Sequence, residues 1–368
     1  MELDDLRRDV AEVDRTLVGA VVRRLELARR IGRAKRDTAR PLRDYAVERA
    51  VLARWSGALA EHGIDAHRAE AFAEWLIEES LRVQEELRPS PASSPNGPLE
   101  VAVVGGSGAM GRWVGDFLED AGHRVGIVDP SSGPPGRTVL ADVETAARSA
   151  DAVVFATPIR QTAPLLDRAL ATGTKALLFD ILSVKAPIAP TLRAAGAAGR
   201  RVTSVHPMFG PSARTLSGRN LLIVSCGVPE ADAAARALFA ASALTITEVP
   251  LDDHDRLIAQ SLGLSHAVNL LFLAALAEDP TSSQELARAA STTFHRQSSL
   301  ARAVASEGAE LYLDIQALNP HTAEVYAGLA SALERLRTTV GRADREGFQE
   351  MLAAGRAKLE TRGEPMRR

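Results

Sequence analysis

Residues 101–111 read VAVVGGSGAMG, an apolar run that breaks into closely spaced glycines. Such a run ending in glycine predicts a buried strand entering a tight turn. Gly106, Gly108 and Gly111 satisfy G-x-G-x-x-G, and a helix is expected from Arg112 to Ala121. Without side chains, the turn lets a backbone approach a pyrophosphate, whose charge is favoured at a helix N-terminus. Alone the pattern is weak. Its context strengthens it, because the next expected strand, Arg124–Val128, ends in Asp129. An acid there accepts hydrogen bonds from ribose hydroxyls and repels a 2′-phosphate. The stretch therefore points to dinucleotide binding by Gly106, Gly108, Met110, Gly111, Asp129 and Thr157, and to NAD over NADP.

Downstream, short apolar runs recur at 100–104, 124–128, 152–156, 176–180, 201–205 and 221–224, mostly separated by helical stretches. That alternation predicts a doubly wound, Rossmann-type parallel sheet, with ligands beyond the carboxyl ends of its strands. Three segments fall there: Ala156-Thr157-Pro158, Asp180-Ile-Leu-Ser183-Val-Lys185 and His206-Pro-Met-Phe-Gly-Pro211. Two prolines and a glycine restrict the backbone after His206. A neutral imidazole held there could take a proton from a hydroxyl while hydride leaves the same carbon.

Upstream, the segment Arg88–Pro98 carries four prolines, three serines and a glycine, and reads as a linker. Ahead of it, Leu3, Leu6, Val10, Val13, Leu17, Val21, Leu25, Ala28 and Ile31 recur at helical steps. Helices are expected at about 3–37, 44–61 and 66–87. A first helix of that length spans roughly 50 Å, more than a lone three-helix domain can cover, so a partner chain is expected. Arg24 and Lys35 lie three turns apart on one face. Arg7 is roughly 25 Å from Arg24 along the axis, so it could join the same site only from a second subunit. Asp44 with Glu48, and Ser80 with Gln84, form further i, i+4 polar pairs. Singly, each could be a solvated charge.

Beyond about residue 250 the strands give way to alanine- and leucine-rich helices that continue to about 360. The expected order is an all-α domain at 1–88, a linker at 89–98, a dinucleotide-binding domain at 99–249 and a second all-α domain at 250–360. With 44 basic and 47 acidic residues the net charge is −3, which suggests neither a nucleic-acid nor a membrane surface. Cys226 is the one cysteine, so no intrachain disulfide is possible and a reducing cytoplasm fits. MELDDLRRDV is not a signal peptide, and no uninterrupted run of about 18 apolar residues occurs.

The front segment resembles the all-helical chorismate mutase family without a gap over about 85 residues. Arg7, Arg24, Lys35, Asp44, Glu48, Ser80 and Gln84 fall on that family's substrate-contacting positions. The resemblance implies an intertwined homodimer with shared sites and a dicarboxylate substrate. Arg24, Lys35 and Arg7 from the other chain would hold the two carboxylates. Lys35 and Gln84 would hydrogen-bond the ether oxygen, while Asp44 and Glu48 would address the C4 substituent. VAVVGGSGAMGR, DILSVK, SVHPMFGPS and the helical tail resemble prephenate dehydrogenase, whose tail is a dimerisation domain. Together they resemble the fused chorismate mutase–prephenate dehydrogenases over about residues 3–355. This implies rearrangement of chorismate to prephenate, then NAD-dependent oxidation and decarboxylation to 4-hydroxyphenylpyruvate. No metal is called for. His206 would be the base, Ser183 would hydrogen-bond it and the substituent, and His266 would line the pocket or pack in the core. His254-Asp255 also match helical-domain positions of the family.

Two positions depart from the pattern. Val47 stands where close relatives carry an arginine beside Glu48, near the C4 substituent. His295 and Ala303 stand where the dehydrogenase tail carries two arginines, with Arg296 and Arg302 one residue away. Drift would explain both, and a local alignment shift of one residue would explain the second. A C4 ammonium would also explain the first, since valine removes the repulsion an arginine would exert. That reading makes the substrate 4-amino-4-deoxychorismate and the end product 4-aminophenylpyruvate. A non-catalytic NAD-binding sensor with a helical dimerisation module is the rival from another class. A general hydroxyacid or imino-acid dehydrogenase is disfavoured, because residues 250–350 hold no lysine.

Overall fold

The glycine turn sits at the middle of an eight-stranded sheet of order β3-β2-β1-β4-β5-β6-β7-β8. The computed structural model describes residues 3–37, 45–85, 97–131, 133, 136–213, 216, 218–240, 242, 244–306 and 308–359. Asp44 and nearly all of the 89–98 linker lie outside the described residues. The chain divides into two units, Met1–His254 and Asp255–Arg368.

Helices α1 (Leu3–Asp37), α2 (Tyr45–Ala60) and α3 (Ala66–Glu85) open the first unit. Asp4 and Asp5 in the first turn of α1 favour the positive end of its dipole. α1 and α2 each pack on α3, whose Ala69, Ala73, Leu76 and Leu81 are buried. The periodicity predicted α1 residue for residue. Its apolar stripe is another matter: Leu3, Val10, Val13, Leu17 and Val18 remain 55–62% exposed. A helix this long and apolar on an uncovered face demands a partner surface.

The sheet strands are β1 (Glu100–Val104), β2 (Arg124–Val128), β3 (Thr138–Val139), β4 (Ala152–Phe155), β5 (Leu177–Asp180), β6 (Val202–Pro207), β7 (Asn220–Ser225) and β8 (Thr245–Pro250). Helices α4 (Ala109–Asp120), α5 (Val143–Ser149), α6 (Ile159–Ala171), α7 (Ala189–Ala197), α8 (Pro229–Phe239) and α9 (Leu251–Ile258) follow the strands. β1 to β6 are parallel, and β1 lies between β2 and β4, where the order reverses. The sheet is not parallel throughout, because β7 runs antiparallel to β6. The connection over 208–219 holds no helix among its described residues, and without a crossover the strand must turn back. Thr203 and Ser225 each donate to Asp232 at 2.5 Å, tying β6, β7 and α8 together.

β3 and β8 were not legible as apolar runs. β3 is two exposed residues, and β8 mixes Thr245, Thr247 and Glu248 on an open edge. Central strands read clearly because both faces are buried: Val101–Val104 are all at or below 2% exposure. Phe239 of α8 stacks on Phe117 of α4 at 5.3 Å and meets Phe179 edge-on at 6.5 Å.

The second unit holds a π-helical turn, Ala259–Gly263, and helices α10 (Leu264–Glu278), α11 (Ser283–Ala289), α12 (Thr292–Ser306), α13 (Ala309–Leu318), α14 (Thr322–Gly341) and α15 (Arg345–Leu359). A π turn frees carbonyls from the regular ladder. Gln316 Nε2 donates to Gly263 O at 3.0 Å, and Asn319 Nδ2 to Asp255 O at 2.8 Å. Few side chains here are buried, while Leu271, Leu313, Leu333 and Val340 are 59–66% exposed. The run Leu251–Glu278 is long and apolar enough to cross a membrane by length and composition, despite its polar interruptions.

Candidate active sites

The dinucleotide loop is built by steric necessity. Gly105 adopts φ 84°, and its N–H donates to Val128 O at 2.8 Å. A Cβ on Gly111 would lie 2.1 Å from Gly105 O, and one on Gly106 would lie 2.5 Å from Ile127 Cγ2. Gly108 offers no side chain to cap α4, so the first-turn amides are not claimed by a cap. Ser107 Oγ is buried with no partner at the tip of the loop. Asp129 accepts from Ser107 N and Ser131 N, each at 3.0 Å, and from Ser131 Oγ at 2.7 Å. Burial works to raise its pKa, but the hydrogen bonds from Ser131 and Ser107 outweigh that and hold it below the ordinary value. Thr162 donates its hydroxyl proton to Pro158 O, so the 2.8 Å contact leaves Thr157 as donor to Thr162. Met110 is half-buried against the core. An ionised acid, uncapped amides and an unspent hydroxyl fit a dinucleotide.

His206 stands at the carboxyl end of β6, buried at 2% exposure. Its Nδ1 lies 3.0 Å from Nε2 of the fully buried His254 on α9. Ser183, expected to hold this ring, is half-buried in the loop after β5 and makes no such hydrogen bond here. The imidazole partner supplied by α9 is the one the structure pairs with His206. Burial pushes the His206 pKa well below its ordinary value, with His254 and Lys185 adding electrostatic pressure. The ring is therefore neutral and able to accept a proton. Lys185 is itself buried, donating to Asp180 Oδ1 and Leu182 O at 2.7 Å and to Val205 O at 2.9 Å. It clamps the β5 loop to the residue preceding His206.

In the front helices, Arg24 donates to Leu76 O and Ser80 Oγ. Ser80 Oγ donates to Leu76 O at 2.8 Å, and Gln84 Nε2 to Ser80 O at 3.0 Å. Gln84 Oε1 is buried without a partner. Gly32 permits this approach, since a Cβ there would meet Gln84 Cγ at 2.8 Å. Burial, then Arg54, lowers the Arg24 pKa. Arg24, Ser80 and Gln84 thus form one connected group. Lys35 lies further along α1, Val47 is 58% exposed on α2 and Glu48 half-buried beside it. Arg7 is not in this group; it pairs with Asp4 at 3.0 Å on the exposed end of α1.

In the second unit, His266 packs edge-on to Tyr312 with centroids 4.5 Å apart. Burial lowers its pKa, and its Nδ1 has no partner. His295, Arg296, Arg302 and Ala303 on α12 are all exposed.

Residues 6–85 match the family described as chorismate mutase type II. Residues 136–222 match the prephenate dehydrogenase nucleotide-binding domain, and 250–354 its dimerization domain. A 4-amino-4-deoxyprephenate dehydrogenase of Streptomyces pristinaespiralis is 32% identical over 279 residues, 72% of this chain and 93% of its own. The chain belongs to the fused chorismate mutase–prephenate dehydrogenase family. The T-protein of Haemophilus influenzae is 25% identical over 356 residues, 94% of this chain and 89% of its own. A prephenate dehydrogenase structure from A. aeolicus, in complex with hydroxyphenyl propionate and NAD+, shares the fold. Its TM-score is 0.58 at 17% identity, covering 70% of this chain and 96% of that one.

The chain is an isomerase and an NAD-dependent oxidoreductase, working on small molecules as a homodimer. The exposed leucines of the second unit belong to its dimerisation domain. Within DILSVK, nothing in the sequence marks Asp180 and Lys185, five residues apart, as a buried ion pair. Nor does it mark His254 as the neighbour of His206, 48 positions earlier. No periodicity carries either signal.

Proposed function

We propose that the chain converts 4-amino-4-deoxychorismate to 4-amino-4-deoxyprephenate and oxidises that product to 4-aminophenylpyruvate. Val47 carries this reading. An arginine about 5 Å from a C4 ammonium would cost about 3 kcal/mol at an effective dielectric of about 20. Valine removes that penalty and leaves Asp44 and Glu48 to pair with the ammonium. The kinship to a 4-amino-4-deoxyprephenate dehydrogenase supports the same substituent in the second step. The parent reaction on chorismate and prephenate is the alternative, favoured by full-length kinship to a T-protein.

The mutase domain spans 1–88, joined by a linker at 89–98 to the NAD-binding domain at 99–249 and the dimerisation domain at 250–360. Arg24, Ser80 and Lys35, with Arg7 of the partner subunit, hold the two carboxylates. Lys35 and the second amide hydrogen of Gln84 meet the ether oxygen as it gains charge, and no covalent step is needed. The exposed apolar stripe of α1 supports this sharing between chains. In the dehydrogenase, Gly106, Gly108, Met110, Gly111, Asp129 and Thr157 hold NAD. When bound, the cofactor supplies the hydride acceptor. His206 takes the proton from the C4 substituent, Ser183 orients that substituent and His266 lines the substrate pocket. The protein is a soluble cytoplasmic enzyme.

The test supplies NAD+ with chorismate or its 4-amino analogue and identifies the aromatic keto acid formed. The amino compound is expected to win. A preference for chorismate of about a hundredfold or more overturns the reading.

A further inference from the structure

We propose that His254 takes over the proton that His206 removes from the C4 ammonium, so that the two imidazoles act as an exit relay. This rests on the ammonium-bearing substrate argued above.

The proton balance separates the two candidate substrates. With a C4 hydroxyl, the base takes the hydroxyl proton as hydride leaves C4, giving a dienone. Loss of CO2 passes its bonding pair into the ring, and the resulting phenolate recovers the proton. The base ends as it began. With a C4 ammonium, the nitrogen pair is locked in an N–H bond, so hydride cannot leave until a proton has gone. The amine pair then expels hydride to NAD+, forming an iminium, and loss of CO2 returns that pair to nitrogen as a neutral arylamine. Nothing reclaims the proton. One proton must leave the site in every turnover, or His206 meets the next substrate already charged.

A second buried imidazole stands within reach to receive it. His206 is buried, and its Nδ1 lies 3.0 Å from Nε2 of His254, itself at 0% exposure. For Nε2 of His206 to act as acceptor toward substrate, its hydrogen must sit on Nδ1, donated to His254 Nε2. A proton arriving on one nitrogen of His206 can therefore be balanced by loss of the other to His254. The Lys185 ammonium, held by Asp180 nearby, disfavours a lasting charge on His206. A hydroxyl-oxidising enzyme needs His206 alone, whereas an ammonium-oxidising one needs a second acceptor.

The experiment follows NADH and proton release together, with a pH indicator, for 4-amino-4-deoxyprephenate and for prephenate. The wild-type chain is compared with His254→Gln, whose amide reaches the Nε2 position but cannot accept a proton. Wild type is expected to release one proton per NADH with the amino substrate and none with prephenate. In His254→Gln, kcat should fall at least about tenfold further on the amino substrate than on prephenate, with KM moved less than about threefold. A solvent deuterium isotope effect should be larger on the amino reaction, where the proton passes through two imidazoles, than on prephenate, where it moves to His206 alone. Should the variant fail to fold, His254→Asn is read in the same way. An equal loss on both substrates makes His254 a brace for His206 and overturns the relay, as does an undiminished amino rate. Wild type unable to oxidise the amino substrate at all overturns the substrate reading, and the relay with it.

Discussion

Nδ1 of His206, at the end of β6, stands 3.0 Å from Nε2 of His254, in the first turn of α9. Two buried imidazoles so close cannot both be charged. Burial lowers the pKa of His206, as it does for His123 and His266. A lowered folded-state pKa means the unfolded chain binds more protons, so stability rises with pH. The contribution is complete above about 6.5, the free-histidine value, and is lost as pH falls through the folded value. The thermal midpoint should be flat from about pH 8 to 7 and decline below about 6.5, with a shallower decline in His206→Asn. A midpoint that rises on acidification would refute the assignment.

Lys185 is held by Asp180, Leu182 O and Val205 O inside the protein. Removing one partner strands a buried carboxylate whose second oxygen already lacks a hydrogen bond. Lys185→Met should lose about 3–5 kcal/mol in denaturant unfolding of the NAD-binding domain. A loss below about 1 kcal/mol would mean the pair is dispensable.

Gly111→Ala places a methyl 2.1 Å from a backbone oxygen, a contact no rotamer relieves. The glycine turn must shift, and the KM for NAD+ should rise about tenfold to a hundredfold. Mutase activity, which needs no cofactor, is the internal control. Unaltered NAD+ affinity by titration would show that the loop does not hold the pyrophosphate.

Arg24 is joined to Ser80, and through it to Gln84, at the contact of α1 with α3. Arg24→Ala should lower the rearrangement by about a hundredfold to a thousandfold. Oxidation of prephenate added directly should persist. A full-speed rearrangement, or a chain that is monomeric in sedimentation, would end the shared-site account.

Val47→Arg returns a guanidinium beside Glu48. Relative turnover should move toward the hydroxyl substrate by about a hundredfold, the value of one like-charge contact of about 3 kcal/mol. An unchanged ratio of kcat/KM for the two substrates would remove Val47 from the specificity argument.

Local pattern carried much of this molecule. The 3.6-residue rhythm of Leu3–Ile31 specified α1, because a helix shows its covered stripe in sequence whether or not a partner is present. Val101–Val104 read as a central strand because both of its faces are buried. The glycine turn was legible because its steric demands fall within six residues, and Asp129 because it ends the next strand at a set distance. β8 was not, since an edge strand with Thr247 and Glu248 facing outward carries no apolar run.

By itself, the sequence determined the helices of the front segment, the central strands, the dinucleotide loop and the candidacy of His206, since each depends mainly on local pattern. Tertiary structure alone decided that β7 runs antiparallel, that Lys185 is buried against Asp180 and that His254 reaches His206. Those relationships join residues brought together by chain crossings and desolvation. Neither leaves a period in the sequence, because the energy lies in the contact and not in the spacing.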